Sequence, residues 1–258
     1  IEIKNSQEFK DKEVFSRTGI KYRYKSSKTE TALSLAVNAC NKIKVNQKKI
    51  DALIYVTQSP EYSLPTTACI LQDKLKLDKK ILAYDINQGC SGFVYGLYTA
   101  LAMINSSSLK TVLLVCSDTY TKYISDGNKT CSTIFSDGAS ATLITNKKKF
   151  ITKSFSFGTD GSGHKDLIVE SSKKFHTKKS ELYMDGRKVL MFTMGNIPDL
   201  VKKTLRNNKC KINDIKLFIF HQASKIVLDN LGRILKIEEK KIFKNYSLFG
   251  NTVSSTIP

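Results

Sequence analysis

The spacing CxxC occurs nowhere in this sequence, although it holds six cysteines: Cys40, Cys69, Cys90, Cys116, Cys131 and Cys210. Several of them lie in apolar runs. That usage argues against zinc and against a disulfide framework, and it fits scattered thiols in a reducing compartment. No run of about 20 apolar residues is present, so no membrane-spanning segment is expected. The opening stretch IEIKNSQEFK has no apolar signal region. A soluble, cytoplasmic protein without membrane insertion is the expectation. Acidic side chains are few, 23 against 42 basic ones, which gives a formal net charge of +19. Arginine is scarce as well. With only Arg17, Arg23, Arg187, Arg206 and Arg233, the excess rests on lysines spread along the chain. Such a balance suits nucleic acid, an acidic protein partner or an anionic cofactor. No zinc finger or aromatic RNA-binding motif accompanies it. Most lysines therefore read as solvated surface, and nucleic acid is not the expected partner.

What is present is an alternation of helix and strand signals. DALIYVT (51–57) reads as a buried strand, PTTACILQDKLKL (65–77) as a helix, and ILAYDI as a strand again. A helix is expected over residues 91–107, followed by strands in TVLLVCSD and ATLIT. With 258 residues, 41% of them hydrophobic, the chain can bury one large core or two packed halves. The alternation predicts an α/β fold.

The pattern also echoes itself. DALIYVTQS, a helix and KKILAYDINQGCSG correspond to IKLFIFHQAS, a helix and KKIFKNYSLFGNTVSS. The echo superposes Gly89-Cys90-Ser91 on Gly250-Asn251-Thr252, and Thr57-Gln58 on His221-Gln222. Two halves, 1–148 and 149–258, packed about a pseudo-twofold axis would make Cys90 and Asn251 face each other. His221 would then lie near both.

Cys90 falls where a buried strand turns into a helix that is apolar on nearly every side. Gly92, Gly96 and Ala100 recur every four residues and invite close approach of another backbone. A sulfur at that helix N-terminus is expected to gain thiolate character, its pKa falling from about 8.5 into roughly the 3.5–7.5 range. The other cysteines read as small core residues. Of the histidines, His164 and His176 lie in polar segments and read as surface, whereas His221 ends the apolar run KLFIF, on the ligand side of an α/β sheet. Taken alone, His221 also reads as a satisfied buried histidine, and Asn251 as a helix cap.

GCSGFVYGL, FHQAS and GNTVSSTIP, in that order, resemble the β-ketoacyl-acyl-carrier-protein synthase III family of the thiolase superfamily. SRTGIKYR, PTTACILQ and IFSDGASATLI are similar to other segments of it. The resemblance implies a thiolase-like αβαβα layered fold of two related halves. It also implies a catalytic set of Cys90, His221 and Asn251, a homodimer, and no permanently bound cofactor. The activity implied is a decarboxylative condensation of an acyl-coenzyme A, acetyl-coenzyme A above all, with malonyl-acyl carrier protein, initiating fatty acid biosynthesis. Cys90 would carry the acyl group, and His221 and Asn251 would hold the oxygen on which enolate charge develops.

Several positions depart from the family. Members that use coenzyme A carry a tryptophan shortly before the RTG motif; this chain has none, and Glu13 falls near that place. Arg17 remains as a coenzyme A contact. Lys129 stands near a common arginine, Ser224 replaces a commoner asparagine, and Ile226 stands where a basic carrier-protein contact is usual, with Lys225 as its substitute. These changes also fit a synthase of surface-glycan, lipid or secondary-metabolite pathways. From another class, the charge fits a basic, non-catalytic binding module. On this resemblance the chain is short at both ends, lacking a first strand and two last strands with an oxyanion-hole glycine.

Overall fold

The computed structural model describes residues 1–4, 12–43, 46–106, 108–125, 127–146, 154–170 and 181–258. Strand β1 (Glu2–Lys4) pairs antiparallel with β2 (Tyr22–Tyr24), and α1 (Lys12–Thr18) lies between them in sequence. Helix α2 (Ala32–Lys42) follows. Thr31 caps it, accepting from Ser34 N–H while the Ser34 hydroxyl accepts from Thr31 N–H. The central sheet begins with β3 (Ala52–Val56), continues after α3 (Thr67–Lys74) with β4 (Leu82–Ile86), and after α4 (Gly92–Ser106) with β5 (Thr111–Asp118). Beyond α5 (Lys129–Ser132) comes β6 (Gly138–Thr145). The strand order is β4-β3-β5-β6, parallel except for β6. Strands β7 (Leu167–Val169) and β8 (Leu182–Met184) form a small antiparallel pair. The last helices are α6 (Gly186–Asn207), α7 (Lys225–Leu235) and α8 (Tyr246–Phe249).

The sequence of β3, ALIYV, explains its place at the centre. All five residues are buried, so helices must cover both faces. Leu53 and Tyr55 point to a layer built with Leu33, Ala36, Cys40 and Leu71 of α2 and α3. Ala52, Ile54 and Val56 point the other way, to Ala100 and the apolar side chains of α4. Each fully buried aliphatic side chain of this kind contributes about 1.5–3 kcal/mol. Asp85 of β4 accepts from Thr67 N–H and Ala68 N–H at 2.8 and 2.7 Å, placing a carboxylate on the positive end of α3.

Three expectations need correction. The helix after Cys90 is not buried all round: Gly92, Gly96 and Ala100 are buried, whereas Tyr98 is 46% exposed. The sheet covers only one face, and the small residues mark it; a Cβ on Gly96 would lie 2.5 Å from Leu114 Cδ1. The second-half strands are reduced to one parallel bridge, Phe218 to Ile242. Exposure still alternates as in a one-sided strand, with Phe218 buried between exposed Leu217 and Ile219, but no ladder extends it. The echo also fails in detail, because the helical turn α8 occupies Tyr246–Phe249, just before the second corner. The expected boundary between halves at 148/149, His176 and the side chain of Glu13 lie outside the described residues. His164 is exposed, as expected.

Candidate active site

Cys90 sits in the turn that joins β4 to α4. Gly92 N–H donates to Gly89 O at 2.8 Å, and Ser91 O accepts from Val94 and Tyr95. The Gln58 carboxamide lies over Gly89; a Cβ there would stand 2.5 Å from Gln58 Oε1. Gln58 is held in turn by the Tyr120 hydroxyl, which donates to Oε1, and by Asn87, whose Oδ1 accepts from Nε2 at 3.1 Å. The thiol packs against a cluster of Tyr120, Cys131, Phe135, Leu182 and Val253.

That packing overturns the expected thiolate. Burial, with the nearby Asp118 charge adding to it, pushes the Cys90 thiol up to about 12. The helix begins two residues later, at Gly92. Cys90 rests as a thiol.

The second corner is tightly specified. Asn251 forms a parallel bridge with Phe135: its N–H donates to Ile134 O at 3.0 Å, and its carbonyl accepts from Ser136 N–H at 2.9 Å. Gly250, with φ +68°, makes the preceding bend, and Val253 adopts φ +57°. A β-branched residue in the left-handed region is strained. The strain accompanies one contact, from Val253 N–H to Asn251 Oδ1 at 2.9 Å. The oxygen end of the carboxamide is thereby fixed, and Nδ2 has no partner among the described residues. Asn251 is not a helix cap: the three-residue turn Val253–Ser255 has Thr252 at its N-cap, without a side-chain cap bond, and the Asn251 amide oxygen accepts only from Val253 N–H.

His221 follows the Phe218 bridge. Its Nδ1 lies 2.7 Å from Thr256 Oγ1. Its Nε2 is buried and has no hydrogen-bond partner among the described residues. Burial lowers its pKa to about 4, so the ring is neutral at pH 7. A satisfied structural histidine would not leave that nitrogen orphaned.

The turn 251–256 gathers the three expected residues. It contains Asn251, holds His221 through Thr256, and brings Val253 into the cluster on which Cys90 packs. Sequence reasoning missed the group that anchors this turn, Asp118. Buried at the end of β5, it accepts from Gln58 N–H at 2.8 Å and from the Ser254 hydroxyl at 2.5 Å, with longer contacts from Thr57 Oγ1 and Ser254 N. It connects Gln58, above the first corner, to the second. Burial raises its pKa to about 7, and the Ser254 and Gln58 donors pull it back. The available signal was a carboxylate closing an eight-residue strand that is otherwise nearly apolar.

The remaining candidates are dispersed. Arg17 lies in the last turn of α1, and Gly19, just beyond that helix, lies so close to the start of α7 that a Cβ there would be 2.7 Å from Lys225 Cβ. Lys225 is engaged in an exposed pair with Asp229 at 2.5 Å, where water screens the attraction. Ser224 is buried at the N-cap of α7 and makes no side-chain cap bond. Lys129 opens α5 in an exposed position, on a different element from Arg17 and Lys225. Among the described residues, no helix is long and apolar enough to cross a membrane, and no group of His, Cys, Asp or Glu could hold a metal ion.

Known proteins resemble this chain in sequence and fold. The profile described as 3-Oxoacyl-[acyl-carrier-protein (ACP)] synthase III matches residues 84–161, and its C-terminal counterpart matches 205–258. A β-ketoacyl-[acyl-carrier-protein] synthase III from Fusobacterium nucleatum is 30% identical over 96% of this chain and 79% of its own length. The chain belongs to the synthase III family. A putative 3-oxoacyl-[acyl-carrier-protein] synthase 3 from Campylobacter jejuni is 32% identical, over 87% of this chain and 69% of its own. A crystal structure of a 3-oxoacyl-(acyl-carrier-protein) synthase III superposes with a TM-score of 0.92 at 34% identity, over all of this chain and 85% of that one. The Thermus thermophilus synthase III gives 0.90 at 26% identity, again over all of this chain and 84% of its own. As a synthase III family member with the thiolase fold, the chain is an enzyme of the acyltransferase type.

Proposed function

We propose that the chain carries the site of a decarboxylative condensation in which Cys90 holds an acyl group while His221 and Asn251 stabilise the attacking enolate. The observation that carries this reading is the buried, unpartnered Nε2 of His221, beside a turn in which the Asn251 carboxamide keeps its N–H donors uncommitted. A buried ring nitrogen without a partner is costly unless something supplies one. A thioester carbonyl does.

The steps follow from the groups present. The Cys90 sulfur attacks an acyl thioester; the carbon–sulfur bond to the leaving thiol breaks, and that thiol takes up the proton Cys90 gives up. A malonyl thioester then binds with its carbonyl oxygen at His221 Nε2–H and Asn251 Nδ2–H. Carbon dioxide departs, and the electron pair of the broken bond spreads onto the oxygen the two donors hold. The enolate carbon attacks the acyl carbonyl, and Cys90 leaves as thiolate. The neutrality of His221 supports this division of labour, because a neutral ring donates a hydrogen bond without removing a substrate proton.

Acetyl-coenzyme A as acyl donor and malonyl-acyl carrier protein as extender are the substrates proposed, in the initiation of fatty acid biosynthesis, with Arg17, Lys129, Ser224 and Lys225 as contacts. The charge of +19 suits an acidic carrier protein. A homodimer is the proposed assembly, since β4 forms one edge of the four-stranded sheet, with Leu82 52% exposed on it. Incubation with acetyl-coenzyme A and intact-mass spectrometry test the nucleophile. The acetyl adduct is expected on the wild type and absent from Cys90→Ala. An adduct that persists in the variant overturns the assignment.

A further inference from the structure

The ring of His221 can serve as a donor at Nε2 only if its proton resides there, and the structure shows what decides that. Thr256 is buried, and its hydroxyl has one hydrogen to give and two acceptors within reach. One is Nδ1 of His221 at 2.7 Å; the other is the carbonyl of Val253 at 3.3 Å. Hydroxyl hydrogen bonds cluster near 2.7–2.8 Å and weaken beyond about 3.0 Å. The short contact therefore takes the hydrogen. Nδ1 accepts, and the ring proton is left on Nε2, the atom that is buried without a partner. The opposite arrangement would have Nδ1–H donating to Thr256 and the hydroxyl stretched to Val253. It would leave Nε2 with a lone pair and no proton to give to a substrate oxygen.

We infer that Thr256 is a positioning residue that fixes the tautomer and tilt of His221, so that Nε2–H points at the developing enolate oxygen. The inference deepens the condensation reading and rests on it for the consequence, though not for the tautomer itself. Its strength is that one turn does two jobs. Val253 N–H secures the oxygen end of Asn251, and Thr256, three residues on, secures the inner nitrogen of His221. Both groups are then held by one turn. Thr256 deserves the assignment over Ser254 or Ser255 because their hydroxyls are committed elsewhere, to Asp118 and to Thr252 O.

The test uses protein labelled with nitrogen-15 in histidine, with the His221 signals identified by their loss in His221→Asn. In the wild type, Nε2 is expected to show the shift of a protonated nitrogen and Nδ1 that of a hydrogen-bonded acceptor. A protonated Nδ1 overturns the inference whatever the enzyme does. The kinetic arm measures decarboxylation of a malonyl thioester. Thr256→Val, which keeps the shape and removes the hydroxyl, is expected to lower kcat by about 10²-fold, the scale of one lost oxyanion donor, with KM little changed. Thr256→Ser restores the hydroxyl and is expected to restore the rate to within a few-fold, which separates positioning from simple loss of folding. A Thr256→Val enzyme as fast as wild type, in a protein where His221→Ala is slow, sinks the positioning role and leaves the condensation reading standing. If His221→Ala is itself as fast as wild type, the condensation reading is what fails.

Discussion

The two corners of this molecule share a pattern, glycine, a functional residue, then serine or threonine, and hold it by different means. At Gly89-Cys90-Ser91 the backbone needs no unusual φ. The corner is shaped from outside by the Gln58 carboxamide lying over Gly89 and by a 15-residue helix that follows. At Gly250-Asn251-Thr252 the constraint is in the chain itself, with left-handed φ at Gly250 and Val253 and only a three-residue turn after it. The Cys90 corner rests on packing, whereas the Asn251 corner rests on backbone geometry and hydrogen bonds. Under the proposed condensation, a thiol carrying an acyl group tolerates some play, and two donors that meet one oxygen do not.

That contrast can be broken by the same substitution at both glycines. Gly250→Ala forces a side chain into φ +68°, ψ −165°, a region almost reserved for glycine, with Ser136 Cβ 3.1 Å away, and is expected to cost about 1–3 kcal/mol in stability. Gly89→Ala meets the far end of one flexible side chain, which can swing aside, so it is expected to cost clearly less. Urea denaturation of both variants checks this; equal losses would mean that the corners are held alike.

A smaller effect sharpens the electrostatic side. Asp118, raised from 3.8 to about 7, contributes stability that is complete below pH 3.8 and lost as pH rises through about 7. His221, lowered from 6.5 to about 4, contributes stability that is complete above pH 6.5 and lost as pH falls through about 4. Across that window the two oppose each other. In Asp118→Asn only the His221 trend remains, so stability is expected to rise more steeply with pH than in the wild type. His221→Asn should tilt the curve the other way. Denaturant midpoints at the two ends of the window measure the slopes, and parallel curves would refute the assignments.

Much of this was legible in the sequence. The first-half strands and helices fell where apolar runs and glycine spacing put them, because two-sided burial writes itself as continuous β-branched and aliphatic residues such as ALIYV. The motifs of Cys90, His221 and Asn251 led to the family and to the site proposed for them. What the sequence hid depends on contacts between distant segments. The pKa of Cys90 is set by Tyr120, Phe135, Val253 and Asp118, none of which its local pattern reveals. The outward side of α4 looked buried because apolar residues on all faces do not say which face a sheet covers. Asp118 and Thr256 sit in segments whose polar residues read as ordinary strand ends and turns, and only their partners give them meaning.

The most direct test of the account separates the two half-reactions. In His221→Ala and Asn251→Ala, Cys90 acylation by acetyl-coenzyme A and decarboxylation of a malonyl thioester are measured side by side. The account predicts acylation near the wild-type level, with decarboxylation lower by about 10²–10³-fold, or ~2.7–4 kcal/mol, in each variant. Decarboxylation at the wild-type rate in either one would contradict it.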